Sequence, residues 1–440
     1  MSDLHRLTAT EAQTKIKSGE VSVETYVQSL LSRIKARDDA VQAWAHLDAD
    51  YALSQAKALD AIPSNQRGPL HGVAIAVKDV IFTKDMPTQF NSPVYTSNHP
   101  TLDAGSVQIL RASGALILGK TVTTEFAATT IGSKTKNPHD PNCTPGGSSS
   151  GSGAVVADFQ APIALGTQTG GSVIRPGSYN GIYAFKPTWG SVTREGQKVY
   201  SLILDTLGWY GRSVADLELL ADVFAIYDDT PPTSSPFELK GAKFAVLKTV
   251  VWPKIGAGGE AALDKAVMSL REQGAEVDEI SLPSSLDDLP KWHATLLSSD
   301  GRTAFLPEYT VDKSQISSQL VGHVENSEKI TRKAQLEAFD RIAAARPIVD
   351  EIVGRYAAVI TPSVPDEAPE GIGSTGSAAF CTMWTALHTP VVNVPGFAGS
   401  HDMPIGVTLV APRYQDRHLL AVSKSVGAVF EAEGGWESSL

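Results

Sequence analysis

The sequence predicts an α/β protein, one large, mixed, twisted β-sheet covered by α-helices on both faces. Three observations carry this. Helical and strand-like hydrophobic periods alternate through the first half of the chain, runs such as "ALILG" are apolar throughout, and strand-like runs return near the C-terminus after a long helical interval. The sheet implied by this alternation is largely parallel.

The elements follow in order. Thr8 and Glu11 have capping-box spacing at the head of "LTATEAQTKIKSG", and in "VETYVQSLLSRIKAR" Tyr26, Leu30 and Ile34 repeat every four residues, so the chain opens with two helices. "HGVAIAVKDV" alternates as a strand with Val73, Ile75 and Val77 on one face and Ala74, Ala76 and Lys78 on the other, which sets one lysine beside two small alanines. "SVQILRASG" reads as a helix ending at Gly114 and "ALILG" as a buried strand; "GAVVADF" and "APIALGTQT" repeat the pair. From about 230 a Pro- and Ser-rich stretch, "TPPTSSPFELKG", gives way to charged helical sequence. "AAVITPS", "PVVNVPG" and "IGVTLVAP" then complete the sheet.

At 440 residues the chain exceeds one minimal core. A net charge of −11 repels phosphate backbones and anionic membranes, so neither nucleic acid nor a membrane is expected as a partner. The N-terminus lacks a signal-peptide pattern and no segment supplies 18 uninterrupted apolar residues, which reads as an intracellular, cytoplasmic protein. The two cysteines, Cys143 and Cys381, are too few for a disulfide framework and too isolated for a zinc site.

Three motifs compete for the chemistry. "GALILGKT", residues 114 to 121, satisfies the phosphate-binding pattern G-x-x-x-x-G-K-[ST], but its middle is a buried strand rather than a loop, so Lys120 and Thr121 simply end that strand. "GSSSG", residues 147 to 151, fits a nucleophile elbow and would nominate Ser149 with His388, His401 or His418 as base. An elbow follows a strand directly, whereas the proline-rich "NPHDPNCTPG" precedes this one. The third candidate joins Lys78, the serines at 148 to 150, and "GTQTGGS", residues 166 to 172. There a strand-like run stops at two glycines and a serine, so that bare N–H groups beside the Ser172 hydroxyl suit a developing oxyanion. A lysine serves as base to a serine only when burial lowers its pKa, and Lys78 beside Ala74 and Ala76 is placed for that.

"GVAIAVKD", "TPGGSSSGSGAVVA", "LGTQTGGSVIRPGSYNGIYAFKPTWG" and "TALHTPVVNVPG" together resemble the amidase signature family, in order and spacing, over roughly residues 65 to 220 and 355 to 425. The resemblance implies the amidase-signature fold as a single domain: a helical part at 1–64, the signature core at 65–229, a variable helical elaboration at 230–345, and a part at 346–440 that completes the sheet. It implies a serine hydrolase of small carboxylic amides that needs no metal or cofactor. By the same resemblance Ser172 is the nucleophile, Lys78 the base, and Ser148, which follows a cis peptide bond, the proton relay; Gly146 and Gly147 leave the backbone room for that bond. Ser149 and Ser150 are then neighbours. Thr169, Gly170, Gly171 and Ser172 are implied oxyanion donors through their amides.

Other readings stay open beside these. Ser148 also suits a helix N-cap, and Thr169 the end of its strand. Arg175, three residues after Ser172, either contacts a substrate carboxylate or supports the backbone. Glu125 and Phe126 in "TTEFA" and Trp384 in "MWTALHTP" resemble positions that support or line an acyl pocket, with ordinary core packing the favoured reading for the two aromatics. Preference for a carbamate, ester or aryl amide, acyl transfer to another amine, or a glutaminase-like role inside a transamidation complex would use the same machinery. Residues 120 to 135 and 230 to 345 are expected to shape the pocket. A homodimer is implied by family habit alone.

Overall fold

The computed structural model describes residues 3–230 and 236–440, so the Pro- and Ser-rich stretch at 231–235 lies outside the described residues. Its frame is one sheet. The strands are β1 (Trp44–His46), β2 (Ala74–Lys78), β3 (Leu116–Thr121), β4 (Ile163–Gln168), β5 (Tyr183–Lys186), β6 (Thr206–Gly211), β7 (Lys243–Leu247), β8 (Glu276–Ile280), β9 (Ala358–Pro362), β10 (Val391–Ala398) and β11 (Pro404–Val410). They lie side by side in the order β1-β3-β2-β4-β6-β5-β10-β11-β9-β7-β8.

The expected helices form. Thr8 caps Ala9–Ser18 with both halves of the capping box in place, and Tyr26, Leu30 and Ile34 are the buried stripe of Val23–Val41. The alternation in β2 sorts its side chains as anticipated. Val73, Ile75 and Val77 join one hydrophobic core with the helices Val214–Val223, Ala257–Glu272 and Asp416–Glu433, while Ala74 and Ala76 join a second with Val23–Val41, Ser150–Ala157 and Arg332–Val353. Helices thus cover both faces, and β2 to β4 are buried along their whole length.

Two expectations are corrected. The sheet is mixed rather than largely parallel: β2 pairs in parallel with β3 and β4, and β7 with β8 and β9, but the other six pairings are antiparallel. β10 and β11, separated by a short turn, fold back on one another, and β5 and β6 run antiparallel between the two parallel blocks. The 230–345 region is not only helical, because it supplies β7 and β8 at one edge of the sheet. Among the described residues no helix is long and apolar enough to cross a membrane.

"GALILGKT" forms β3, ending at Thr121, as its apolar middle requires. Lys120 there is fully buried with its Nζ 3.0 Å from the Asp79 carboxylate and bonded to Thr88 Oγ1 at 2.5 Å. Removing one partner of such a pair leaves the other charge buried and uncompensated. Lys120→Met is therefore expected to lower stability by about 3–5 kcal/mol, read by urea denaturation.

Candidate active site

Lys78 ends β2 one strand away from Lys120, and these two buried lysines have opposite surroundings. Around Lys78 Nζ stand Ser148 Oγ at 2.8 Å, Ser149 Oγ at 2.9 Å and Thr167 Oγ1 at 2.8 Å, with the Thr167 carbonyl at 3.4 Å. No carboxylate forms an ion pair with it among the described residues. Burial, with Arg175 as a lesser repulsive charge, holds the Lys78 amine well below the usual lysine range, against the pull of Asp205.

The serines reach Lys78 because "SSSGSGAVVA" packs closely. The helix Ser150–Ala157 is buried on every side, and a Cβ at Gly151 would collide with the Ala43 carbonyl and the Val122 amide. The Gly147–Ser148 peptide is cis. Ser149, not Ser148, occupies the N-cap position, and its side chain does not cap. Its hydroxyl instead donates to the Thr167 carbonyl at 3.3 Å and meets Lys78, so Ser149 is more than a neighbour.

This geometry removes the elbow reading. Ser149 is fully buried and its partners include no histidine. His388 stacks on Trp189 and binds the Ile203 carbonyl at 2.6 Å, His401 pairs with Glu367, and His418 binds the Ala357 carbonyl. Both cysteines are buried and unpaired, with the Cys143 thiol pushed up to about 11 and the Cys381 thiol to about 12, in each case chiefly by burial.

Ser172 follows β4 at the floor of a cleft of about 450 Å³. Lys78, Ser148 and Ser172 are 0%, 2% and 9% exposed, an order that runs from core to cleft. The link from Lys78 to Ser148 is made, whereas the hydroxyls of Ser148 and Ser172 are not hydrogen-bonded to one another. Such bonds commonly tighten only when substrate binds. Arg175 fastens the two serine segments together, its Nη2 donating to the Gly147 carbonyl at 2.5 Å.

The turn from Thr169 to Ser172 is held by its carbonyls. His293 Nε2 lies 2.8 Å from Thr169 O, Thr385 Oγ1 donates to Gly170 O at 2.7 Å, the Arg175 amide to Gly171 O at 2.9 Å, and Tyr210 Oη to Ser172 O at 3.1 Å. Among the described residues, no acceptor takes the N–H groups of Gly170, Gly171 or Ser172. The Gln168 side chain accepts the next two, from Val173 and Ile174. Gly171 has little room for a side chain, since a Cβ there would stand 3.0 Å from both Ala378 and Cys381 and require them to shift. Thr169 ties its hydroxyl to Asp205 at 2.6 Å, and burial raises that carboxyl to about 6.

The chemistry available to this arrangement is narrow. An amine desolvated toward neutrality, a hydroxyl bonded to it, a second hydroxyl in a cleft and a row of unclaimed N–H groups suit attack on a carbonyl. The amidase family profile matches residues 25–420 of the chain. The chain belongs to the amidase family.

Relatives agree with the profile. A glutamyl-tRNA(Gln) amidotransferase subunit of Symbiobacterium thermophilum is 33% identical over 468 aligned positions, covering 95% of this chain and 95% of that protein. Its counterpart from Chloroflexus aurantiacus is 36% identical over 314 residues, covering 67% of this chain and 64% of its own length, so the match spans less than two thirds of that relative. A crystal structure of an amidase, 28% identical, superposes with a TM-score of 0.87 over 96% of this chain and 99% of that one. The amidase-signature fold is therefore that of this protein.

The two aromatic candidates do not line the amidase cleft. Phe126 and Trp384 are each 1% exposed and lie in the core, Phe126 in an aromatic cluster with Phe90, Tyr95 and Phe305, and Trp384 against the second hydrophobic core. Their neighbours Ala127, Ala128 and Thr382 line the cleft in their place. Arg175 lines the cleft at 4% exposure and gives its guanidinium to the carbonyls of Gly147 and Gly376 and to Thr375 Oγ1, bonds that support the backbone. Glu125 bridges Ser92 Oγ and the Ser317 amide, bracing the loop before Ala127. Ala127 to Thr130, together with Lys254, His293, Gln319, His323 and Glu328, draw the cleft wall from the two regions expected to shape it.

Proposed function

We propose that this amidase-family enzyme hydrolyses the carbon–nitrogen bond of a small carboxylic amide through an acyl-enzyme on Ser172, with Lys78 as base and Ser148 as relay. The observation that carries this reading is the fully buried Lys78 amine, bonded to Ser148 and without a carboxylate partner. A neutral amine has two N–H donors and one lone pair. Ser149, whose own proton goes to the Thr167 carbonyl, and Thr167 Oγ1 accept the two N–H bonds, which leaves the lone pair to the Ser148 hydroxyl.

Ser172 Oγ attacks the amide carbon as its proton passes to Ser148 and the Ser148 proton to Lys78. The N–H groups from Thr169 to Ser172 supply the donors that hold the oxyanion. Collapse breaks the C–N bond, and the proton returns by the same route to the leaving nitrogen. Water then adds to the acyl carbonyl by the same relay, the Ser172 ester bond breaks, and acid leaves.

The base must be neutral, so kcat/KM is expected to fall as pH drops through the lowered pKa of Lys78 and to level off above it. Because burial lowers that pKa, the acid limb lies below the roughly 10.4 of an unperturbed lysine. A profile flat from about pH 5 to 9 would remove Lys78 from the base role.

A second reading rests on the relatives named as amidotransferase subunits: the chain supplies ammonia from a glutamine amide within a transamidation complex. A panel of aryl amides, carbamates, esters and glutamine, assayed with the isolated chain, separates the two. Turnover by the isolated chain supports the amidase. Glutamine hydrolysis that needs co-purifying proteins supports the complex.

A further inference from the structure

Ser172 and its N–H groups sit on β4 and the turn after it, but one of the four donors that shape the turn comes from far away in sequence. His293 belongs to the helix Leu289–Ala304, inside the 230–345 region. It is 3% exposed, lines the cleft, and places Nε2 2.8 Å from Thr169 O. A carbonyl only accepts, so Nε2 carries the proton. The C=O of Thr169 and the N–H of Gly170 share one planar trans peptide and point in opposite directions. Holding the first fixes the second.

We infer that His293 is a positioning residue for the oxyanion site: its Nε2–H anchors the Thr169 carbonyl and so aims the Gly170 N–H at the carbonyl oxygen of the substrate. This rests on the amidase reading above, and it gives the 230–345 region a part in the chemistry besides walling the cleft. The turn needs an outside anchor there. A Cβ at Gly170 would make ordinary contacts with Thr382 at 3.8 Å, His293 at 3.9 Å and Ala378 at 4.0 Å, so the glycine that stands there leaves that side of the peptide loosely filled. Thr385 holds the Gly170 carbonyl and the Arg175 amide that of Gly171, so His293 completes the hold at the first peptide of the turn. Burial lowers the imidazole pKa, which favours the neutral ring.

The test compares His293→Leu, which lacks a donor, with His293→Gln, whose side-chain amide places N–H near the position of Nε2, using a chromogenic aryl amide. His293→Leu is expected to lower kcat roughly 10²-fold with KM changed by less than about threefold, and His293→Gln to recover at least about tenfold of that loss. An unchanged kcat in His293→Leu, or equal losses in the two variants, overturns the inference. Should His293→Leu not fold, ¹⁵N NMR of the wild-type imidazole decides: the Nε2–H tautomer supports the anchor and the Nδ1–H tautomer overturns it. Failure of the underlying reading looks different, because Ser172→Ala would then retain turnover whatever His293 does.

Discussion

Ser172→Ala is expected to lower kcat for a small amide by about 10⁴- to 10⁶-fold, the loss that follows removal of a serine nucleophile. Little else should change. The Lys78–Ser148 bond, the carbonyl anchors of the turn and the cleft walls do not involve the Ser172 hydroxyl, so substrate binding and the unfolding midpoint should stay near those of the wild type. Whatever rate remains reports on the free N–H groups and the cleft alone. A fall in kcat of less than about tenfold would mean that another atom attacks the substrate.

Lys78→Met is expected to cost about 10²- to 10⁴-fold in kcat, the usual weight of a general base, and to abolish the acid limb of the pH profile. The stability outcome sharpens it. Replacing a buried, desolvated amine by an apolar chain of similar length removes a burial cost and leaves Ser149 bonded to the Thr167 carbonyl but takes a partner from the Ser148 and Thr167 hydroxyls, so the loss of unfolding free energy should stay below the ~3–5 kcal/mol of breaking a buried ion pair. Lys120→Met should reach that range, because Asp79 then loses its partner. Two lysines on adjacent strands thus separate a base from a structural ion pair. Should Lys78→Met keep wild-type turnover, the proton must leave by another path.

β2 was legible because large and small residues alternate along it and the two sets pack into different cores. β5 and β6 were not, since "IYAFKP" and "TLGWYG" interrupt any period with proline or glycine and their pairing is antiparallel. β7 and β8 were hidden by length and position: five residues each, with three of the five in "EVDEI" charged, set in otherwise helical sequence. The same division holds at the site. Lys78, Ser148 and Ser172 lie in dense local motifs, whereas Thr385 reaches Gly170 across 215 positions and His293 reaches Thr169 across 124. A single histidine on an amphipathic helix carries no mark of such a contact. Phe126 and Trp384 follow the core-packing reading, because the chain next to each reaches the cleft while the ring turns into the core.

The most direct test of Ser172 as nucleophile is intact mass after treatment with a fluorophosphonate, comparing wild type, Ser172→Ala and Ser149→Ala. The lysine–serine relay predicts a single adduct in the wild type that is retained in Ser149→Ala and absent from Ser172→Ala. An adduct that survives in Ser172→Ala and disappears in Ser149→Ala would contradict it, moving the nucleophile to the buried serine and removing the relay with it.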